Sequence, residues 1–178
     1  MQKAPREFLL ELLSTHSPSG HEAPTARKWL DYVKPFADET LTDAYGSAFA
    51  VLNPKGNPTV MFEGHSDEIG LMVTYADEEG FLWVNAIGGV DAKMLPGKRV
   101  VVHSPSGPVA GLLGAEAPHT QSAERREKSA AVSDIYIDIG AASKGDALKV
   151  APVGTVATVD HDPQMLLGDT LAARSCDN

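Results

Sequence analysis

Residues 59–70 read TVMFEGHSDEIG. An apolar, strand-like run meets Gly64, and His65 follows immediately, two positions before Asp67. In an open α/β sheet, ligands collect just outside the carboxyl ends of strands, so this histidine stands where a site is expected. A metal-binding imidazole uses one ring nitrogen on the ion and needs an acceptor for the other, often a carboxylate. Asp67 is placed either to orient His65 directly or to stiffen the loop around it. The spacing alone says little. With 6 His and 13 Asp in 178 residues, chance supplies about 0.4 His-x-Asp triplets, so the pair takes its meaning from the strand end.

The texture differs on the two sides of this stretch. Before it, Phe8, Leu9, Leu12 and Leu13 share one face of a helix over residues 5–15. Ser19 and Glu22 have capping-box spacing, and Pro24 suits the first turn of a second helix with Ala26, Trp29, Leu30 and Val33 as its buried stripe. Segments 47–52 and 58–63 read as strands joined by the turn NPKGNP. After it, strands are expected at 69–75, 81–86, 98–103, 108–114, 134–139 and 154–160, separated by Gly/Pro turns such as DEEG and SPSG. Many short strands with such turns suggest a small barrel or sandwich. The polar stretch APHTQSAERREKSA (117–130) reads as an exposed loop with a helical turn, and 143–149 as a short helix.

Composition sets outer bounds. The chain is 43% apolar and 22% charged, with 15 Lys and Arg against 24 Asp and Glu, for a net charge of −9. A globular core is within reach, whereas nucleic acid and anionic membranes both call for a basic footprint. No run approaches the ~20 apolar residues of a spanning helix, and the N-terminus shows no cleavable leader; the reading is cytoplasmic. Cys176 is the only cysteine, so no internal disulfide or thiolate cluster forms; it reads as a small buried residue. Glu63 and Glu68 read as solvated surface acids, and His103 and His161 as residues without a role. Asp177, after the small and polar run AARSC, reads on its own as a cap or surface acid.

The order of the motifs carries more than any one of them. PSGHE (18–22), DAYGS (43–47), GHSDEIGLMV (64–73), GFLWVNAIGGVD (80–91), LPGKRV (95–100), GLLG…APH (111–119), DIYIDIGA (134–141) and RSCDN (174–178) run in one series. That series resembles metallopeptidase family 42, the glutamyl, deblocking and tetrahedral aminopeptidases. The resemblance implies an α/β fold: an aminopeptidase-type catalytic domain in two segments, 1–67 and 165–178, interrupted by an inserted β-barrel over 68–164. It also implies two divalent ions, zinc or cobalt. His65 would bind one ion, Asp177 would bridge both, and Asp67 would be the acid behind His65. Peptide substrates would lose their N-terminal residue, and protomers would associate through the barrel. Competing readings are a non-catalytic interaction module and a relative labelled endoglucanase, although no pair of carboxylates is placed to face across a sugar.

The resemblance puts the base glutamate and three further ligands downstream of Asp177, and the sequence ends one residue later. A catalytic zinc site usually takes three protein ligands, and the motifs supply two for a pair of ions. The expectation is an N-terminal part of such an enzyme that binds metal weakly and hydrolyses nothing alone. Aminoacyl-p-nitroanilides incubated with the chain, verified by intact mass, and added zinc or cobalt should stay uncleaved.

Overall fold

The computed structural model describes residues 3–117, 119–120, 122 and 130–176. Two compact units emerge: residues 1–68 with 161–178, and residues 69–160. The sequence reading had put these breaks after 67 and after 164.

The second unit is a closed barrel of six strands. They are β3 (Gly70–Ala76), β4 (Leu82–Ile87), β5 (Arg99–Ser104), β6 (Gly107–Ala115), β7 (Ile135–Asp138) and β8 (Val156–Val159), in the order β3-β4-β7-β6-β5-β8. Every neighbouring pair is antiparallel. Closure leaves no strand edge unpaired, which a small β unit otherwise has to protect. Alternation along each strand fills the interior: Leu71 and Val73, Leu82 and Val84, Val100 and Val102, Ile135 and Ile137 are all buried. The helix α3 (Lys144–Val150) closes the core with Ala147, and Ala151 follows it inward. Ser143 caps this helix by accepting the Asp146 N–H, which satisfies one of the donors that a helix start leaves open. Each of these strands and the helix lies within two residues of its expected span. Period-two burial explains why: it writes itself directly into the sequence.

The first unit departs further from expectation. Helices α1 (Lys3–Ser14) and α2 (Ala23–Val33) form as the apolar spacing requires, and Phe8 stacks on Tyr32 with ring centres 3.7 Å apart. The hairpin, however, joins β1 (Glu39–Thr42) to β2 (Ala48–Val51), not β2 to residues 58–63. The DAYGS turn builds it: Asp43 Oδ1 accepts the N–H groups of Tyr45 and Ser47, both at 2.9 Å, and Gly46 supplies a φ of +90°. Strand β1 reads ETLT and is exposed throughout, so it had no apolar pattern to announce it.

Residues 58–63 form no ladder with any described residue, and Val60, Met61 and Phe62 are 68%, 73% and 94% exposed. An apolar run becomes a strand only when a neighbour offers backbone partners, and the expected strand there is corrected on that ground. The short strands β9 (Gln164–Met165) and β10 (Leu171–Ala172) pair with each other. The expected loop with a helical turn at 117–130 lies largely outside the described residues. Among the described residues, no helix is long and apolar enough to cross a membrane.

Ile137 is fully buried at the centre of the barrel. Ile137→Ala should cost about 2–5 kcal/mol of barrel stability, read from the shift of the urea unfolding midpoint.

Candidate functional site

The loop 64–68 lies in the first unit, and a turn 48 residues upstream holds it. Asp67 takes a different partner on each carboxylate oxygen. Oδ1 lies 2.8 Å from His65 Nδ1, and Oδ2 accepts the Ser19 hydroxyl. The Asp67 backbone oxygen also lies 3.0 Å from Nδ1. An ionised carboxylate and a carbonyl can only accept, so Nδ1 carries a proton and donates toward both. The Asp67 carboxyl is held below its ordinary value, chiefly by the Ser19 hydroxyl, then by the bond to His65 and its charge, against partial burial that pushes it up.

Ser19 was expected to cap α2. The helix instead starts at Ala23 after Glu22, whose side chain makes no capping bond. The hydroxyl spent on Asp67 is the reason.

Glu68, expected at the surface, is buried. Its side chain is 3% exposed, and that of Arg174 is 8% exposed. Oε1 accepts the Ser17 N–H at 2.9 Å, and Oε2 accepts Arg174 Nε at 2.8 Å. The Glu68 N–H returns to the Ser17 carbonyl at 2.9 Å, and Pro18 and Glu68 form an isolated parallel bridge. Arg174 Nη1 donates to the His161 carbonyl at 3.1 Å. Its Nη2 is buried and has no partner among the described residues. Residues 17–19 thus clasp 67–68 through backbone and side chain together, and Arg174 ties in the segment from 161.

Asp177, expected to bridge two ions, lies outside the described residues. Cys176 is exposed, contrary to the buried position expected of it; the run AARSC has no apolar stripe to carry it inward. His103 Nε2 lies 2.9 Å from Thr158 Oγ1 in the barrel wall. Sequence reasoning missed Ser17, Ser19, Glu68 and Arg174. Ser19, Glu68 and Arg174 fall in the blocks PSGHE, GHSDEIGLMV and RSCDN and Ser17 in none of them, and nothing local in a sequence pairs charges 106 positions apart.

Among the described residues no three His, Cys, Asp or Glu side chains converge as a metal would need. They offer one imidazole with its proton fixed by a carboxylate, the arrangement that prepares a histidine to ligate. The donor chemistry therefore fits one wall of a metal site.

Comparison with known proteins agrees in direction. The model of a family described as M42 glutamyl aminopeptidase matches residues 46–178. A curated candidate aminopeptidase of Acetivibrio thermocellus is 36% identical over 160 residues, 90% of this chain and 46% of its own length. The crystal structure of a TET aminopeptidase from the marine sediment archaeon Thaumarchaeota archaeon SCGC AB-539-E09 superposes with a TM-score of 0.87 at 30% identity, over 94% of this chain and 48% of that one. The Pyrococcus horikoshii TET1 peptidase, which can assemble into a tetrahedron or a large octahedral shell, gives 0.83 at 32% identity over 95% and 50%. The chain spans about half the length of these relatives.

Removing the Ser19 hydroxyl takes away the largest contribution that lowers the Asp67 carboxyl. In metal-free Ser19→Ala, NMR titration should show that carboxyl protonating at higher pH than in the native chain. Since the folded value is depressed, the stabilisation is present above the ordinary carboxylate range and is lost as pH falls through the native value. In Ser19→Ala that loss should begin at higher pH.

Proposed function

The chain belongs to the M42 glutamyl aminopeptidase family, and from that premise we propose that it supplies part of a metal-dependent site that removes N-terminal residues from peptides. The observation that carries this reading is the relay Ser19–Asp67–His65, which lies at the loop where the family motif GHSDEIG falls. In this reading the first unit is part of a catalytic α/β domain, and His65 and Asp177 hold the metal. Zinc, cobalt and manganese all suit an imidazole and a carboxylate. A bound divalent ion would supply an activated water and polarise the scissile carbonyl.

This chain's own residues do the preparatory work. Asp67 holds a proton on Nδ1 of His65, which leaves Nε2 as the ring nitrogen that would ligate a metal. Ser19 fixes the second carboxylate oxygen, so Asp67 cannot swing away from the ring. Because the Asp67 carboxyl is lowered, it keeps its charge as the solution turns mildly acidic. These are orienting tasks, and each is complete within the first unit.

Assembly through the barrel belongs to the same proposal. The barrel has its own closed core and exposes Met72, Tyr75 and Leu112 on its strands, and the Pyrococcus horikoshii relative builds closed shells. Those two facts also favour a second reading, in which residues 69–160 serve as an association module without catalysis.

A chimera tests the first reading. Residues 1–178 would be joined to the part of the Thaumarchaeota TET aminopeptidase that lies beyond the region matched here. The expected result is hydrolysis of aminoacyl-p-nitroanilides with zinc or cobalt, none of N-acetylated substrates, and loss by at least about a hundredfold in His65→Ala. A folded chimera whose hydrolysis survives His65→Ala would overturn the assignment of His65.

A further inference from the structure

Residues 59–62, TVMF, take no part in the loop that holds His65. Val60, Met61 and Phe62 stand exposed in a row, and residues 58–63 form no ladder with any described residue. We propose that this run is a docking strand whose partner is the complementary half of the M42 fold, the half of the relatives that this chain does not match. The proposal rests on membership of that family and on no metal ligand.

The chemistry of the run says what kind of partner fits. Successive side chains of a strand point to opposite faces, so an extended 59–62 sends Val60 and Phe62 one way and Met61 the other. Both faces are then apolar, the pattern of an inner strand covered on both sides. No charge or proline interrupts 59–62, and those are devices that keep a bare strand from pairing. A second copy of this chain would fit poorly: its own 58–63 offers pairing to one edge and leaves the other edge and the faces bare. The partner has to bring strands and apolar cover together. The first unit calls for the same thing. Its described sheets, β1–β2 and β9–β10, have two strands each, and a two-stranded ribbon is marginal alone. It also exposes Phe36, Leu41 and Leu52. The Acetivibrio thermocellus relative and the Thaumarchaeota structure are matched over 46% and 48% of their lengths, so their unmatched half is large enough to supply strands and cover. In such a dock, main-chain pairing gives affinity and the alternate side chains of the run give specificity.

The test co-expresses the full 178-residue chain with the unmatched half of the Thaumarchaeota TET aminopeptidase as a separate polypeptide. Hydrogen exchange at the amides of 59–62 is read in the free chain and in the complex, with the barrel amides as the check on folding. Expected are a purified complex of the two polypeptides and exchange at 59–62 slowed at least about tenfold. Met61→Lys and Phe62→Lys probe the two faces. Both side chains are exposed in the free chain, so its urea midpoint should not move. Affinity for the half should fall at least about tenfold in each variant. The proposal is overturned by the absence of a complex, by a complex with unchanged exchange at 59–62, or by variants that bind as the native chain does. Slowed exchange in the free chain that grows with its concentration also overturns it, since the occupant is then a second copy. Docking in a complex without peptidase activity leaves the proposal standing and counts against the metal reading. An active chimera beside a half that does not dock as a separate polypeptide counts against this proposal alone.

Discussion

A carboxylate at 3% exposure cannot rely on water, and that constraint on Glu68 organises the first unit. A charge removed from solvent must find opposite charge and hydrogen bonds, or the structure loses several kcal/mol. Glu68 finds an N–H from Ser17 on one oxygen and the Arg174 guanidinium on the other. Those partners come from segments 51 and 106 positions away, so satisfying one side chain brings three stretches of chain together. Asp67, the next residue back, is then left facing Ser19 and His65. The geometry of the histidine follows from the burial of Glu68, three residues on.

What could be read from the sequence follows from the range of the forces involved. The barrel strands were legible because alternating burial is a local, period-two signal: Val100 and Val102 point inward and Arg99 outward whatever else the chain does. The two helices were legible for the same reason at period 3.6. Strand β1 was not, since ETLT carries no apolar face and owes its existence to β2 and the Asp43 turn. The run at 58–63 misled in the opposite sense, for TVMFEG has strand-like side chains but no described neighbour to pair with.

The site was legible in part, along the same line. The His65–Asp67 pair could be read from spacing, because both lie within three residues, although the strand expected to end beside it does not form among the described residues. Ser19 was misassigned to a helix cap, since a hydroxyl ahead of an apolar stripe offers that local partner first; the distant carboxylate took it. Glu68 was misread as a surface acid because a buried glutamate shows itself only through its partners, and Arg174 stands far downstream. Local signals gave the histidine and the acid beside it, and long-range pairing supplied the clasp that holds their loop.

The central claim is that the GHSDE loop, clasped by residues 17–19, is one wall of a metal site reached through the imidazole. Zinc-edge X-ray absorption on the zinc-loaded chain addresses it directly. The account predicts nitrogen and oxygen donors near ~2.0–2.2 Å, with an imidazole contribution that disappears in His65→Ala, and no sulfur near ~2.3 Å. A sulfur scatterer from Cys176, or an imidazole signal unchanged in His65→Ala, would contradict it.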